Sequence, residues 1–126
     1  MTNVLFSIHP NYAQAIYEGI KTVELRTRPP TKFGFERGYI YETSPVKMIT
    51  RYFIPARTAI FAWYPEVIIE HYGPSKIIGR KNATVEDVRK LLGGRNDWCP
   101  IEIKEAHQIK PIALKGRPPQ SWRYCR

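Results

Sequence analysis

The sequence predicts an α+β fold in which five to six mixed strands are accompanied by two or three helices. Three observations lead there. Short apolar stretches alternate with polar residues at the strand period of two. Two other segments repeat their apolar residues at helical spacing. The length of 126 residues is close to the commonest domain size, and a hydrophobic content of 43% can fill a single core. Residues 1–126 therefore read as one domain.

Residues 4–8 read as the first strand. Pro10 falls in the first turn of a helix, where proline is tolerated, and Tyr12, Ala13, Ile16, Tyr17 and Ile20 then recur at helical spacing, with Gly19 as the stop. A second strand covers residues 22–28 and ends at Pro29-Pro30; residues 31–38 form a loop rich in bases and aromatics. A third strand covers 39–42, and a fourth resumes after Ser44-Pro45 at 46–54, with Pro55 ending it. Pro65 divides the apolar stretch that follows, so an irregular turn leads into a short helix at 65–72, and 74–81 is a loop. Thr84 is a good N-cap, and Asp87 three residues on completes an approximate capping box; Val85, Val88, Leu91 and Leu92 form one face, and Gly93-Gly94 stop the helix. Residues 101–104 alternate as a strand, 109–114 form a further short strand or an extended edge, and the tail around Pro118-Pro119 is irregular.

Bulk properties narrow the function. The net charge is +9 and uneven: residues 72–126 hold 12 of the 20 Lys and Arg but 5 of the 11 Asp and Glu. Such asymmetry suits a polyanion. The bases do not share one long amphipathic helix, and no apolar run reaches the roughly 18 residues of a membrane span. The N-terminal apolar residues read as a core strand and not as a secretory signal. Two cysteines, Cys99 and Cys125, make neither a disulfide framework nor a four-thiolate zinc site. The chain reads as cytoplasmic. The three histidines are far apart, no His/Asp/Glu group has ligand spacing, and no phosphate-cradling glycine loop or nucleophile elbow is visible, so no metal and no cofactor are expected.

The octapeptide Gly19-Ile20-Lys21-Thr22-Val23-Glu24-Leu25-Arg26 carries the chemistry. Strand alternation turns Thr22, Glu24 and Arg26 to one face and Val23 and Leu25 to the other. An acid and two bases thus sit where a helix hands over to a core strand. Together with Ser7-Ile8-His9-Pro10 before the helix, Tyr39-Ile40-Tyr41-Glu42-Thr43-Ser44-Pro45-Val46 after it, and Pro118-Pro119-Gln120-Ser121-Trp122-Arg123-Tyr124 at the end, this run resembles the ASCH domain, a family of the PUA-like superfamily. The motif core spans 4–53, a divergent middle 54–98, and a returning strand and tail 99–126.

The resemblance implies a PUA-like small curved β-barrel with helices near its mouth, and a cleft between the first helix and the barrel. It would gather Lys21, Thr22, Glu24 and Arg26, with Thr43 and Ser44 nearby and Ser121 and Arg123 from the tail. Lys21 and Arg26 suit a phosphate, and Glu24 a base edge; Tyr41 or Trp122 offers a stacking face. The expected partner is nucleic acid or a nucleotide, RNA ahead of DNA, with a regulatory role implied by analogy alone.

Two enzyme readings stand beside binding. Some ASCH members are ribonucleases. A metal-independent one needs a base, an acid and a cation for the phosphorane, roles open to Glu24, Lys21 and Arg26, with His9 as a second proton carrier. Others are amidohydrolases of acylated cytidine. Lys21 matches their lysine, but Glu24 stands where their threonine is expected, and no acid matches their distant glutamate, although Glu86 and Asp87 lie on the second helix. A third class is a protein-interaction module, with a partner or dimer contact through the apolar residues of 57–72.

Overall fold

The computed structural model describes residues 2–30 and 34–125. Part of the expected basic–aromatic loop, at 31–33, lies outside the described residues. Six strands, β1 (Asn3–Ile8), β2 (Val23–Arg26), β3 (Arg37–Glu42), β4 (Met48–Thr58), β5 (Cys99–Ile112) and β6 (Trp122–Tyr124), join in the order β2-β5-β4-β3-β1-β6. Only β1 and β3 run parallel among these pairs, linked by a crossover that contains helix α1 (Pro10–Glu18) and β2. The other helices, α2 (Pro65–Tyr72), α3 (Pro74–Ile78) and α4 (Val85–Leu92), fall between β4 and β5.

The expected α+β class and mixed sheet are observed, and the sheet curls into a half-barrel. Three irregularities of register between β4 and β5, at Ile49/Arg51, Ile54/Pro55 and Pro55/Arg57, supply curvature. They also explain why β4 continues past Pro55. A proline cannot donate to the ladder, and a bulge is one place where a strand tolerates it.

Three further expectations need correction. Residues 101–104 and 109–114 are not separate strands, because β5 runs without a break from Cys99 to Ile112. The presumed loop at 74–81 begins with the one-turn helix α3, too short to show an apolar period; Gly79 ends it at φ +90°. The tail is not wholly irregular: Trp122–Tyr124 pairs antiparallel with Phe6, Leu5 and Val4 of β1. Helices thus number four among the described residues. The capping box at α4 is present in full, Thr84 Oγ1 accepting from the Asp87 N–H and the Asp87 carboxylate accepting from the Thr84 N–H.

Two apolar clusters flank β2. The first fills the half-barrel beneath α1, with Val4, Phe6, Ile16, Ile40, Phe53 and Ile101 at its centre. The second joins Val23 and Leu25 of β2 to Ile68, Ile77, Val88 and Leu92 of the helices. Burying one face of β2 in the helical cluster turns Glu24 and Arg26 towards the barrel mouth. At α2, Ile68 is buried, whereas Ile60, Phe61, Tyr64 and Val67 stay exposed. Among the described residues, no helix is long and apolar enough to cross a membrane.

Candidate nucleotide-binding cleft

The sheet's ends meet at a side chain. Strand β2 forms one edge, and β1 with β6 the other. Arg26, the last residue of β2, donates from Nη2 to the Ser7 carbonyl at 3.1 Å and from Nη1 to Ser121 Oγ at 2.9 Å and its carbonyl at 3.2 Å. The Trp122 indole N–H, hydrogen-bonded to the Arg28 carbonyl, ties the same seam further along. Ser7 Oγ donates to the Pro119 carbonyl at 2.5 Å, which holds the tail down. A cleft of about 410 Å³ opens along this seam.

Lys21 and Glu24 lie at its floor, 3% and 8% exposed. Arg26 clasps Glu24 with two nitrogens, Nη2 at 2.7 Å and Nε at 3.2 Å from Oε2. Lys21 Nζ stands 3.7 Å from the other carboxylate oxygen and donates to the Ile77 carbonyl at 2.5 Å. That carbonyl belongs to the last turn of α3, where helix carbonyls lack intrahelical partners. The unforeseen helix α3 therefore fixes Lys21. Gly79 makes the approach possible, because a Cβ there would sit 2.5 Å from the Ala15 Cβ and 3.1 Å from the Lys21 Cβ.

The electrostatics are those of two cations sharing one buried carboxylate. Burial is the strongest influence on Glu24 and pushes its pKa up, but Arg26 and Lys21 together outweigh it and hold the carboxyl below its ordinary range. Burial is also the strongest influence on Lys21. It lowers the ammonium pKa, Glu24 opposes the shift, and Arg26 adds to it. The floor thus has a surplus of positive charge and an amine readier than usual to give up its proton.

The sequence-expected residues divide into three groups. Lys21, Glu24, Arg26 and Ser121 meet in the cleft. Thr22, Thr43, Ser44 and Arg123 are not among its lining. Thr22 uses its backbone, donating to Lys76 and accepting from Ile103. Thr43 reaches the rim indirectly, its hydroxyl 3.2 Å from Nδ1 of His9, a lining residue. Ser44 lines a neighbouring hollow with His9 and Arg80. Arg123 lies beyond Ser121 and donates to the Arg117 carbonyl. Trp122 keeps one flank beside Thr27 and Arg28 outside the main cleft.

Tyr41 is a correction: at 7% exposure it lies in β3 and lines none of these clefts, so it offers no face to a base. Its neighbour Glu42 is buried too, held by the Thr50 hydroxyl and by Arg51 at 3.4 Å. Arg51 also bonds Gln14 at 2.7 Å and so clamps α1 onto the sheet.

Tyr12, Arg95, Trp98 and Gln120 line the cleft without having been singled out for it. Gln120 was visible beside Ser121 in the tail, and Tyr12 was readable only as a core position of α1. The Lys21 ammonium lies 5.2 Å from the centre of the Tyr12 ring, a cation–π distance. Arg95 and Trp98 follow α4 in the divergent middle, where no periodicity marks them. The acids of α4 serve other ends: Asp87 closes the capping box and pairs with Arg80 at 2.9 Å, and Glu86 is exposed. Among the described residues no group of three or more His, Cys, Asp or Glu is placed to hold a metal.

Comparison with known proteins agrees with the fold. A curated relative from Zymomonas mobilis, named an ASCH domain-containing ribonuclease, is 30% identical over 128 residues, covering 97% of this chain and 83% of its own length. The crystal structure of ASCH from the same organism matches with a TM-score of 0.78 and 25% identity, over 98% of this chain and 87% of that one. A tyrosine-to-phenylalanine variant of that protein matches with a TM-score of 0.81 at 24% identity, over 100% of this chain and 91% of the other. No family model matches the sequence.

Proposed function

Because the chain belongs to the ASCH domain family, we propose that it binds single-stranded RNA and cleaves it, with the reacting nucleotide held in the seam cleft. The observation that carries this reading is the convergence of Lys21 and Arg26 on the one buried carboxylate of Glu24. A floor with two cations and one acid has charge to spare for a phosphate, and an arginine whose five N–H groups are bonded to Glu24, Ser7 and Ser121 holds its positive charge in place without reorganising. The relative's name, a ribonuclease, supports the substrate class.

The arrangement also separates the roles. Glu24 is committed to both cations and has its pKa lowered, so it serves as their anchor and not as the base. Lys21 at the floor and His9 at the rim are the groups on hand to move protons. In the reaction, the 2′-oxygen bonds to the neighbouring phosphorus as its proton leaves. The bond from phosphorus to the 5′-oxygen breaks, and that oxygen takes up a proton. A 2′,3′-cyclic phosphate and a 5′-hydroxyl result. Arg26 meets the negative charge of the phosphorane.

The test is a panel of end-labelled single-stranded RNA, single-stranded DNA and duplex DNA. Each is incubated with the protein with a divalent cation or with chelator, then read by binding across a salt series and on a denaturing gel. Salt-sensitive binding with RNA cleaved and DNA intact is expected, since DNA lacks the 2′-oxygen. Bound but intact RNA would reduce the role to binding. Cleavage of single-stranded DNA at the same rate would remove the 2′-oxygen mechanism.

A further inference from the structure

The sheet has an outer face that the cleft does not use. Val4, Ile40 and Phe53 point into the core cluster beneath α1, and Ala106, Trp122 and Tyr124 pack against it. Alternation therefore turns their chain neighbours Leu5, Tyr39, Tyr52, His107 and Arg123 the other way. Register then lines these five up across the sheet. Arg123 of β6 stands opposite Leu5 of β1, Leu5 opposite Tyr39 of β3, Tyr39 opposite Tyr52 of β4, and Tyr52 opposite His107 of β5. Four steps between neighbouring strands, of about 4.8 Å each, make a row of about 19 Å.

Three rings of this row touch in sequence. Tyr39 and Tyr52 lie 5.7 Å apart at 54°, and Tyr52 stacks on His107 at 5.0 Å and 26°. All three are half-buried, so each keeps part of its surface in water. The Arg37 guanidinium sits 4.3 Å from the centre of the Tyr52 ring and 3.4 Å from the Tyr39 hydroxyl. Two hollows adjoin the column and share Tyr39 and Ile112. One, of about 690 Å³, reaches Arg123, and the other, of about 480 Å³, reaches Arg37 and Lys110. Among the described residues neither is lined by an acid. Glu105, beside the row, is engaged by His107 at 3.2 Å.

We infer that this outer face is a second binding surface for single-stranded RNA, with bases against the Tyr39–Tyr52–His107 column and phosphates on Arg37, Lys110 and Arg123. It shares its ligand with the cleft reading but none of the cleft's lining residues. Cross-strand ring pairs alone would serve the sheet's stability. They do not account for three exposed cations gathered around them, none of which makes a salt bridge among the described residues. Unbalanced cations match a polyanion, and rings already held by their neighbours receive a base with little further loss of freedom.

The experiment titrates the full chain, labelled for NMR, with a 2′-O-methyl oligouridine, which cannot be cut through its 2′-oxygen. Shifts are expected in the amide and ring signals of Tyr39, Tyr52 and His107 as well as at the cleft. The double variant Arg37→Glu, Lys110→Glu should lose the outer-face shifts and keep those at the cleft, with Kd at low salt raised about tenfold. Shifts confined to the cleft would overturn the outer face while leaving the RNA reading intact. Shifts at the outer face alone would support it and count against the cleft. No shifts at either place would overturn both. Equal outer-face shifts with oligoglutamate would overturn the RNA assignment and give the face to an acidic protein segment.

Discussion

Replacing Glu24 with glutamine should unsettle the floor of the cleft more than any other isosteric change. The substitution keeps the bulk and leaves an oxygen for Arg26, but removes the charge between two cations. Glu24 lies 2.7 Å from Arg26 and 3.7 Å from Lys21, and its side chain is 11% exposed. Removing one member of a buried ion pair costs about 3–5 kcal/mol. The lower end applies, because Lys21 already has its pKa lowered and can shed its proton. About 3 kcal/mol corresponds to a fall in Tm of roughly 10 °C for a chain of this size. Calorimetry at pH 7 measures it.

The same reasoning fixes the pH dependence. Glu24 titrates below its ordinary value of 4.5 in the folded state. Its contribution is therefore complete above that value and is lost as pH falls through the lower, folded pKa. The Tm gap between wild type and Glu24→Gln should narrow on acidification over that range. Asp97→Asn serves as control, because the Arg95–Asp97 pair is exposed and should matter little. A Glu24→Gln protein with wild-type Tm at pH 7, or a gap that ignores pH, would refute the argument.

Other outcomes follow from the same geometry. Lys21→Met should flatten a rise of wild-type stability towards pH 10.5: the unfolded chain keeps the Lys21 proton up to that value while the folded state gives it up earlier, so stability climbs with pH between the two. Urea titrations at several pH values would show it. Gly79→Ala should cost about 2 kcal/mol, combining a left-handed backbone with a contact at 2.5 Å, and should slow RNA cleavage because Lys21 packs against the same spot. Thr84→Ala should cost about 1 kcal/mol through the lost cap, seen as a lower urea midpoint, with cleavage per folded molecule unchanged.

The parts of the fold legible in the sequence were those with a strong local cause. Helical spacing before Gly19, alternation in β2, and the capping box at Thr84 each leave a mark within a few residues. The two-faced character of β2 was readable too, because Val23 and Leu25 against Glu24 and Arg26 is a pattern of period two. What could not be read depends on distant partners. Helix α3 is one turn long, and β6 exists only because β1 offers it an edge. Pro55 looked like a strand end because the bulges that admit it are a property of the β4–β5 pairing.

The site divides along the same line. Lys21, Glu24, Arg26 and Ser121 lie in motifs legible in the sequence, and the fold brings them to one cleft. Arg95 and Trp98 come from a segment whose spacing carries no signal, and only the closing of the sheet brings them to the cleft. Tyr41 failed for a related reason: its position in the motif says nothing of the packing that buries it.

The central claim is that RNA is cut over the Lys21–Glu24–Arg26 floor. The most direct measurement is single-turnover cleavage of a labelled oligouridine by wild type and Lys21→Ala, with binding measured on the same RNA. The account predicts that the variant still binds, within about tenfold, while its cleavage is lost. Cleavage by Lys21→Ala at the wild-type rate would contradict it.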